Sequence, residues 1–138
     1  YTSVYGNTKK AVELLEKTLI EKGCPKVSVH DLARDDMAEA VEDSFRYGKL
    51  VLATTTYNGD VFPFMKEFIH HLTERSFQNR TVAFVENGTW APMAAKVMGK
   101  LLEGSKNLTF TQNNVKILSA LNDASRAQIT ALAQELAK

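Results

Sequence analysis

Short apolar runs alternate with amphipathic stretches along nearly the whole chain, and this alternation is the strongest constraint on its fold. Lys9 to Lys22 places Val12, Leu15 and Leu19 on one helical stripe, with Leu14 and Ile20 beside it and Gly23 closing it. Lys26-Val27-Ser28-Val29-His30 alternates at period two, the pattern of a half-exposed strand. Asp35 to Phe45 predicts a second helix. Leu50 to Ala53 is too short an apolar run for a helix and predicts a buried strand. Phe62 to Arg75 predicts a third helix, with Phe64, Phe68 and Leu72 at spacing four and Pro63 in its first turn. Thr81 to Val85 predicts the next buried strand and Pro92 to Leu102 the fourth helix. Leu108 to Phe110 and Val115 to Leu118 are strand-like pieces, and Asp123 to Ala137 predicts the last helix. Strands separated by helices of this length form βαβ units, hence a parallel sheet covered on both faces.

At 138 residues the chain is expected to be one domain, residues 1–138, large enough for one core. Its 17 basic and 16 acidic residues leave a net charge of +1, which predicts neither a nucleic-acid footprint nor a polybasic membrane patch. The apolar runs are too short to span a bilayer. The single cysteine, Cys24, has no second thiol to pair with and fits a reducing, cytoplasmic location. In that setting the Asn-x-Thr triplets at Asn79, Asn87 and Asn107 are coincidental. One element is missing from the pattern. The chain opens at Tyr1-Thr2-Ser3 with no apolar strand in front of its first loop, although a doubly wound domain enters that loop from a central strand. The expectation is therefore that about five or more apolar, β-rich residues precede Tyr1 in the natural protein.

Several eye-catching groups have plain readings. His70 and His71 are adjacent on a helix and point about 100° apart, so they predict an exposed face rather than a metal site. Asp31, Asp35, Asp36, Glu39, Glu42 and Asp43 read as a solvated helix face, and His30 as solvent-facing. Phe62, Phe64 and Phe68 read as core. No Ser/His/Asp or Cys/His arrangement indicates hydrolysis.

In an open parallel sheet, ligands bind beyond the carboxyl ends of the strands. Three loops expected there have unusual chemistry. Ser3-Val4-Tyr5-Gly6-Asn7-Thr8 leads into the first helix, and its hydroxyls, its amide side chain and the free amides of the helix start would form an anion nest. It lacks the Gly-Lys-Ser/Thr end of a Walker loop and the glycines of a dinucleotide fingerprint. By itself it is also explained by helix capping, with Thr8 as the cap. The second loop, Thr54-Thr55-Thr56-Tyr57-Asn58-Gly59, pairs an aromatic ring with an Asn-Gly turn. The third, Glu86-Asn87-Gly88-Thr89-Trp90-Ala91, carries the only tryptophan. Two aromatic rings and an anion nest at neighbouring sheet positions suit a planar ring system with a phosphorylated tail.

These loops resemble the flavin-binding loops of the flavodoxin-like family, most of all the C-terminal flavodoxin-like domain of A-type flavoproteins, the flavodiiron proteins. A Ser/Thr-Met-Tyr-Gly-Asn-Thr loop is usual there, and this chain has Ser3-Val4-Tyr5-Gly6-Asn7-Thr8. The resemblance implies an α/β three-layer doubly wound sandwich, with a five-stranded parallel sheet in the order 2-1-3-4-5 and a truncated first strand. It implies one FMN, its phosphate held by Ser3, Val4, Tyr5, Gly6, Asn7 and Thr8. The ring would lie between Thr55, Thr56, Tyr57, Asn58 and Gly59 on one side and Asn87, Gly88, Thr89 and Trp90 on the other. Backbone groups at Asn58 and Gly59 would reach the flavin N5.

Such a domain passes electrons singly between a reductant and an acceptor, with a redox partner protein or a di-iron domain of the same or a neighbouring chain. It holds no complete catalytic site alone. Three departures from the family pattern stand out. The chain is nearly neutral where freely diffusing flavodoxins are acidic, and it contains no iron-ligand domain. Glu86 and Asn87 also replace a usual Gly-Ser; a carboxylate at Glu86 aimed at the flavin would lower its potential. A flavin-dependent quinone-type reductase and a non-redox binding or signalling module on the same fold are the alternatives. The reductase is usually marked by longer substrate-covering loops. A receiver module needs an acidic cluster after its first strand and a lysine after its last, and neither is visible.

Overall fold

A computed structural model describes residues 1–3, 6–57, 60–88, 93–118 and 120–137, without the side chains of Tyr57, Asp60 and Val61. Five helices are described: α1 (Asn7–Glu21), α2 (Met37–Arg46), α3 (Pro63–Glu74), α4 (Ala94–Leu101) and α5 (Asp123–Leu136). The strands are β1 (Lys49–Tyr57), β2 (Asp60–Val61), β3 (Thr81–Asn87), β4 (Thr109–Phe110) and β5 (Val115–Ile117). Local chemistry accounts for the helix starts. Asp36 caps α2 by accepting from Ala38 N at 3.0 Å, Pro63 opens α3, and Asn122 and Ser125 form a reciprocal capping box on α5.

The sheet runs β2-β1-β3-β4, with β5 also on β3. β1, β3, β4 and β5 are mutually parallel, as expected of βαβ units, while β2 folds back antiparallel on the end of β1. The doubly wound reading thus holds, with four parallel strands among the described residues instead of five. One apolar layer forms against α2, α3 and α4, where Leu72, Val82, Met98 and Leu102 are closed off from solvent. The other forms against α1 and α5, around Leu15, Val85, Ile117, Ile129 and Leu132. Each such side chain contributes about 1.5–3 kcal/mol on burial.

Several sequence expectations change. The Lys26 to His30 stretch forms no strand. A strand needs a neighbouring ladder, and among the described residues the backbone bonds beside this stretch run to Tyr1: its nitrogen donates to His30 O (2.7 Å) and its carbonyl accepts from Leu32 N (2.9 Å). On the other side Thr2 N donates to Ala53 O at 3.0 Å, so Tyr1 and Thr2 lie between the His30 segment and β1, in the position the order 2-1-3-4-5 assigns to a first strand. A cavity of about 400 Å³ adjoins them, lined by Leu15, Val27, Val51 and Phe68 among others. β1 and β3 both run further than the apolar runs indicated. Thr54 to Tyr57 and Glu86 to Asn87, read as loops, are strand, because Thr54 pairs with Glu86 and Thr55 with Asn87. Phe68 is core as expected, but Phe64 is 40% exposed, and Met65 and Ile69 fill the stripe instead.

His30 and Asp43 are drawn in from solvent, with side-chain exposures of 20% and 18%. Ser28 Oγ donates to Asp43 Oδ2 at 2.7 Å, and His30 Nε2 lies 2.7 Å from the same oxygen, fastening the extended stretch to α2. The Ser28 hydroxyl, and then the His30 ring, hold the Asp43 carboxyl below its ordinary value of 3.8. A carboxyl whose folded value lies below its unfolded one stabilises the fold above that range, and this is lost as pH falls through the folded value. Between about pH 5 and about pH 3 the urea midpoint should therefore fall less steeply in Asp43→Asn than in the parent. Parallel pH profiles would remove Asp43 from this account.

Candidate functional site

The carboxyl ends of β1 and β3 and the start of α1 meet at one edge of the sheet, and three side chains join them. Thr8 Oγ1 lies 3.2 Å from Thr55 Oγ1 on β1 and accepts from Asn87 Nδ2 on β3 at 3.3 Å. Thr8 and Asn87 are buried, with 1% and 6% exposure. Thr8 is therefore not the cap of α1; its hydroxyl is the junction of the three expected loops. A second threonine pair, Thr2 and Thr54, ties the start of the chain to β1.

The start of α1 has the features of an anion site. Its N-cap position is Gly6, in the left-handed region at φ 85°, and that residue offers no side-chain cap. Ser3 Oγ accepts from Gly6 N at 3.1 Å and from Lys9 N at 3.3 Å. The backbone amides thus already converge on an oxygen, which is the geometry that a bound oxyanion uses. A Cβ placed on Gly6 would meet nothing within 4 Å among the described residues.

The start of α4 is different. Thr56 Oγ1 accepts from Met93 N (3.0 Å) and Ala94 N (3.2 Å), and Glu86 Oε2 accepts from Ala95 N (2.6 Å). Glu86 is buried at 7% exposure, with Lys116 Nζ 3.9 Å from its other oxygen. Thr56, expected beside a flavin ring, spends its hydroxyl on the start of this helix. The Glu86 carboxylate is likewise directed to α4. No motif spacing signals this pairing, because the partners come from two strands and a helix, and Thr56 lies 37 residues from Met93.

Of the expected site residues, Ser3, Gly6, Asn7, Thr8, Thr55, Thr56, Asn87 and Gly88 lie at this edge, with Gly88 N donating to Ile117 O at 3.1 Å. The backbone of Tyr57 closes β1. Val4, Tyr5, Asn58, Gly59, Thr89 and Trp90 lie outside the described residues. Among the described residues no cluster of three or more His, Cys, Asp or Glu could hold a metal, and no helix is long and apolar enough to cross a membrane. Among the described residues, the ionic neighbours of His70 and His71 are Glu74 and Glu67 of their own helix.

The same architecture recurs in solved structures. The rubredoxin oxygen:oxidoreductase of Desulfovibrio gigas superposes with a TM-score of 0.91 at 19% identity, covering 99% of this chain and 34% of that one. The flavodiiron protein of Giardia intestinalis gives 0.87 at 14%, covering 99% and 34%. A flavodoxin from the domain Archaea gives 0.81 at 18%, covering 98% of this chain and 91% of that one. The chain thus spans about a third of the length of the first and nearly all of the last. No curated protein matches the sequence. The family description "Flavodoxin domain" matches residues 1–130, and this membership supports FMN as the cofactor. With that description matched over residues 1–130 and the fold in agreement, the chain belongs to the flavodoxin domain family.

Proposed function

We propose that the chain is a single FMN-binding domain that carries electrons one at a time between a reductant and an acceptor. The observation that carries this is the junction at Thr8, which ties the anion-ready start of α1 to the ends of β1 and β3. The residues fit the cofactor. Ser3, Gly6, Asn7 and Thr8, with Val4 and Tyr5, would hold the phosphate through backbone amides and hydroxyls. Thr55 to Gly59 and Asn87 to Trp90 would flank the ring, Tyr57 and Trp90 being its aromatic neighbours. FMN supplies the redox chemistry, and the protein supplies placement, exclusion of water and a polar setting for the ring.

The likeness to about one third of a rubredoxin oxygen:oxidoreductase and of a flavodiiron protein supports a place beside a di-iron domain, in the same or a neighbouring chain. A cytoplasmic location goes with that reading. Mixing the protein with FMN at micromolar concentration should quench the flavin fluorescence at one-to-one stoichiometry. Unchanged fluorescence would overturn the proposal. Stepwise reduction of the complex should then show two separable one-electron transitions; a single two-electron transition would favour the quinone-type reductase instead.

A further inference from the structure

The sheet has an open edge at β4 and β5, beyond which no strand lies among the described residues. Both pair in parallel with β3, Phe110 opposite Val82 and Val115 opposite Val85. The edge therefore advances five residues while β3 advances three, so two residues of the edge are extra. Side chains alternate with period two, and removing two residues would leave all the remaining ones on their present faces. Burial and register thus do not require the insertion. The chain nonetheless secures it. Thr111 Oγ1 donates to Asn113 O at 3.0 Å, and Asn114 Oδ1 accepts from Phe84 N at 3.2 Å in place of a ladder carbonyl.

An edge strand turns alternate amides outward, where another chain can pair with them. Thr109 N and Thr111 N turn inward, to Arg80 O and Val82 O. Further along the edge the acceptors come from α5. Glu135 accepts from Gln112 N and Asn113 N, each at 3.0 Å, and from Asn113 Nδ2 at 2.9 Å. Gln128 Oε1 accepts from Lys116 N at 2.8 Å. These two acceptors sit two helical turns apart on α5, a rise of about 10 Å. About three strand residues cover the same distance, so the pair stands in for the carbonyls of a neighbouring strand. Phe110 and Leu118, 45% and 58% exposed, bound this edge, and a strand added there would cover apolar surface as well.

We propose that α5, through Gln128 and Glu135, closes this edge against a second copy of the chain, and that the Gln112-Asn113 insertion breaks the straight run such pairing needs. The partner kept out is the same edge of another copy, running antiparallel about a two-fold axis. The device needs no flavin and is independent of the FMN reading.

In dilute protein, hydrogen exchange at the amides of Gln112, Asn113 and Lys116 should be at least tenfold faster in the double variant Gln128→Ala/Glu135→Ala than in the parent. Gln128→Glu and Glu135→Gln each keep an accepting oxygen and should exchange like the parent. Sedimentation at about 100 μM reads the consequence. Removing Gln112 and Asn113 from the double variant should tighten self-association at least tenfold over the parent, and adding Phe110→Lys should reverse it by placing a charge on the edge. Unchanged exchange in the double variant, a deletion variant that sediments like the parent, or association that survives Phe110→Lys would each overturn the inference. Should the deletion variant fail to fold, the double variant decides: it must associate more than Glu135→Gln does, and equal masses would reject the proposal.

Discussion

Gly6→Glu is expected to weaken FMN binding about 100-fold, which is about 2.8 kcal/mol. Gly6 sits at φ 85°, where an L-residue costs roughly 1–2 kcal/mol. Its Cβ would meet nothing within 4 Å among the described residues, so the fold should survive. The new carboxylate would stand at the N-terminus of α1, occupying the setting that favours an anion and repelling the phosphate. Riboflavin, which has no phosphate, is the control. Titrations followed by flavin fluorescence should show a large loss for FMN and less than about a threefold change for riboflavin, a difference well under 1 kcal/mol. Equal losses for both ligands would mean that the substitution acts through the fold. No loss for either would take the phosphate away from this helix start.

Thr8→Val should destabilise the flavin-free protein by about 1–3 kcal/mol, a large effect for a change that nearly preserves shape. The hydroxyl lies at 1% exposure between Thr55 Oγ1 and Asn87 Nδ2, and valine removes the oxygen that both use. Buried polar groups deprived of a partner carry the cost of their lost hydration. With a urea slope near 2 kcal/mol/M, the midpoint should drop by about 1 M. Thr8→Ser keeps the hydroxyl and should stay within about 0.5 kcal/mol of the parent, apart from the missing methyl. A valine variant as stable as the parent would reduce the junction to a coincidence of packing. The two substitutions test different properties: one reads the ligand's phosphate, the other the scaffold that brings two strand ends and a helix start together.

Much of the scaffold was legible because periodicity is a local property. The stripe of α1 around Leu15 and Leu19, the apolar run of Leu50 to Ala53 and the Val82 to Val85 run each declare which side must be buried. Their alternation leaves few topologies other than a parallel sheet with helices on both faces. Strand ends were less legible. Thr54 to Thr56 and Glu86 to Asn87 are polar and looked like loops, yet they are strand because Thr54 pairs with Glu86, Thr55 with Asn87 and Thr56 with Val61. Conversely, Lys26 to His30 carries a strand pattern and forms none, since pairing depends on a neighbour and not on the residues alone. Phe64 kept the spacing of a core position and is still exposed, because the apolar stripe of α3 is centred on Met65, Phe68, Ile69 and Leu72.

The first loop shows the same division at the site. From residues alone, Ser3-Val4-Tyr5-Gly6-Asn7-Thr8 was either an anion nest or an ordinary helix start capped by Thr8. What the sequence by itself determined is the doubly wound scaffold, the edge at which polar loops gather and the chemical types available there. Only the tertiary structure decided what each polar side chain touches. Thr8 meets Thr55 and Asn87 instead of capping α1, and Thr56 and Glu86 close the start of α4. The physical reason is one of range. Burial periodicity repeats within a dozen residues, whereas a hydrogen bond between Thr8 and Asn87 joins positions 79 apart and exists only once the sheet has brought them together.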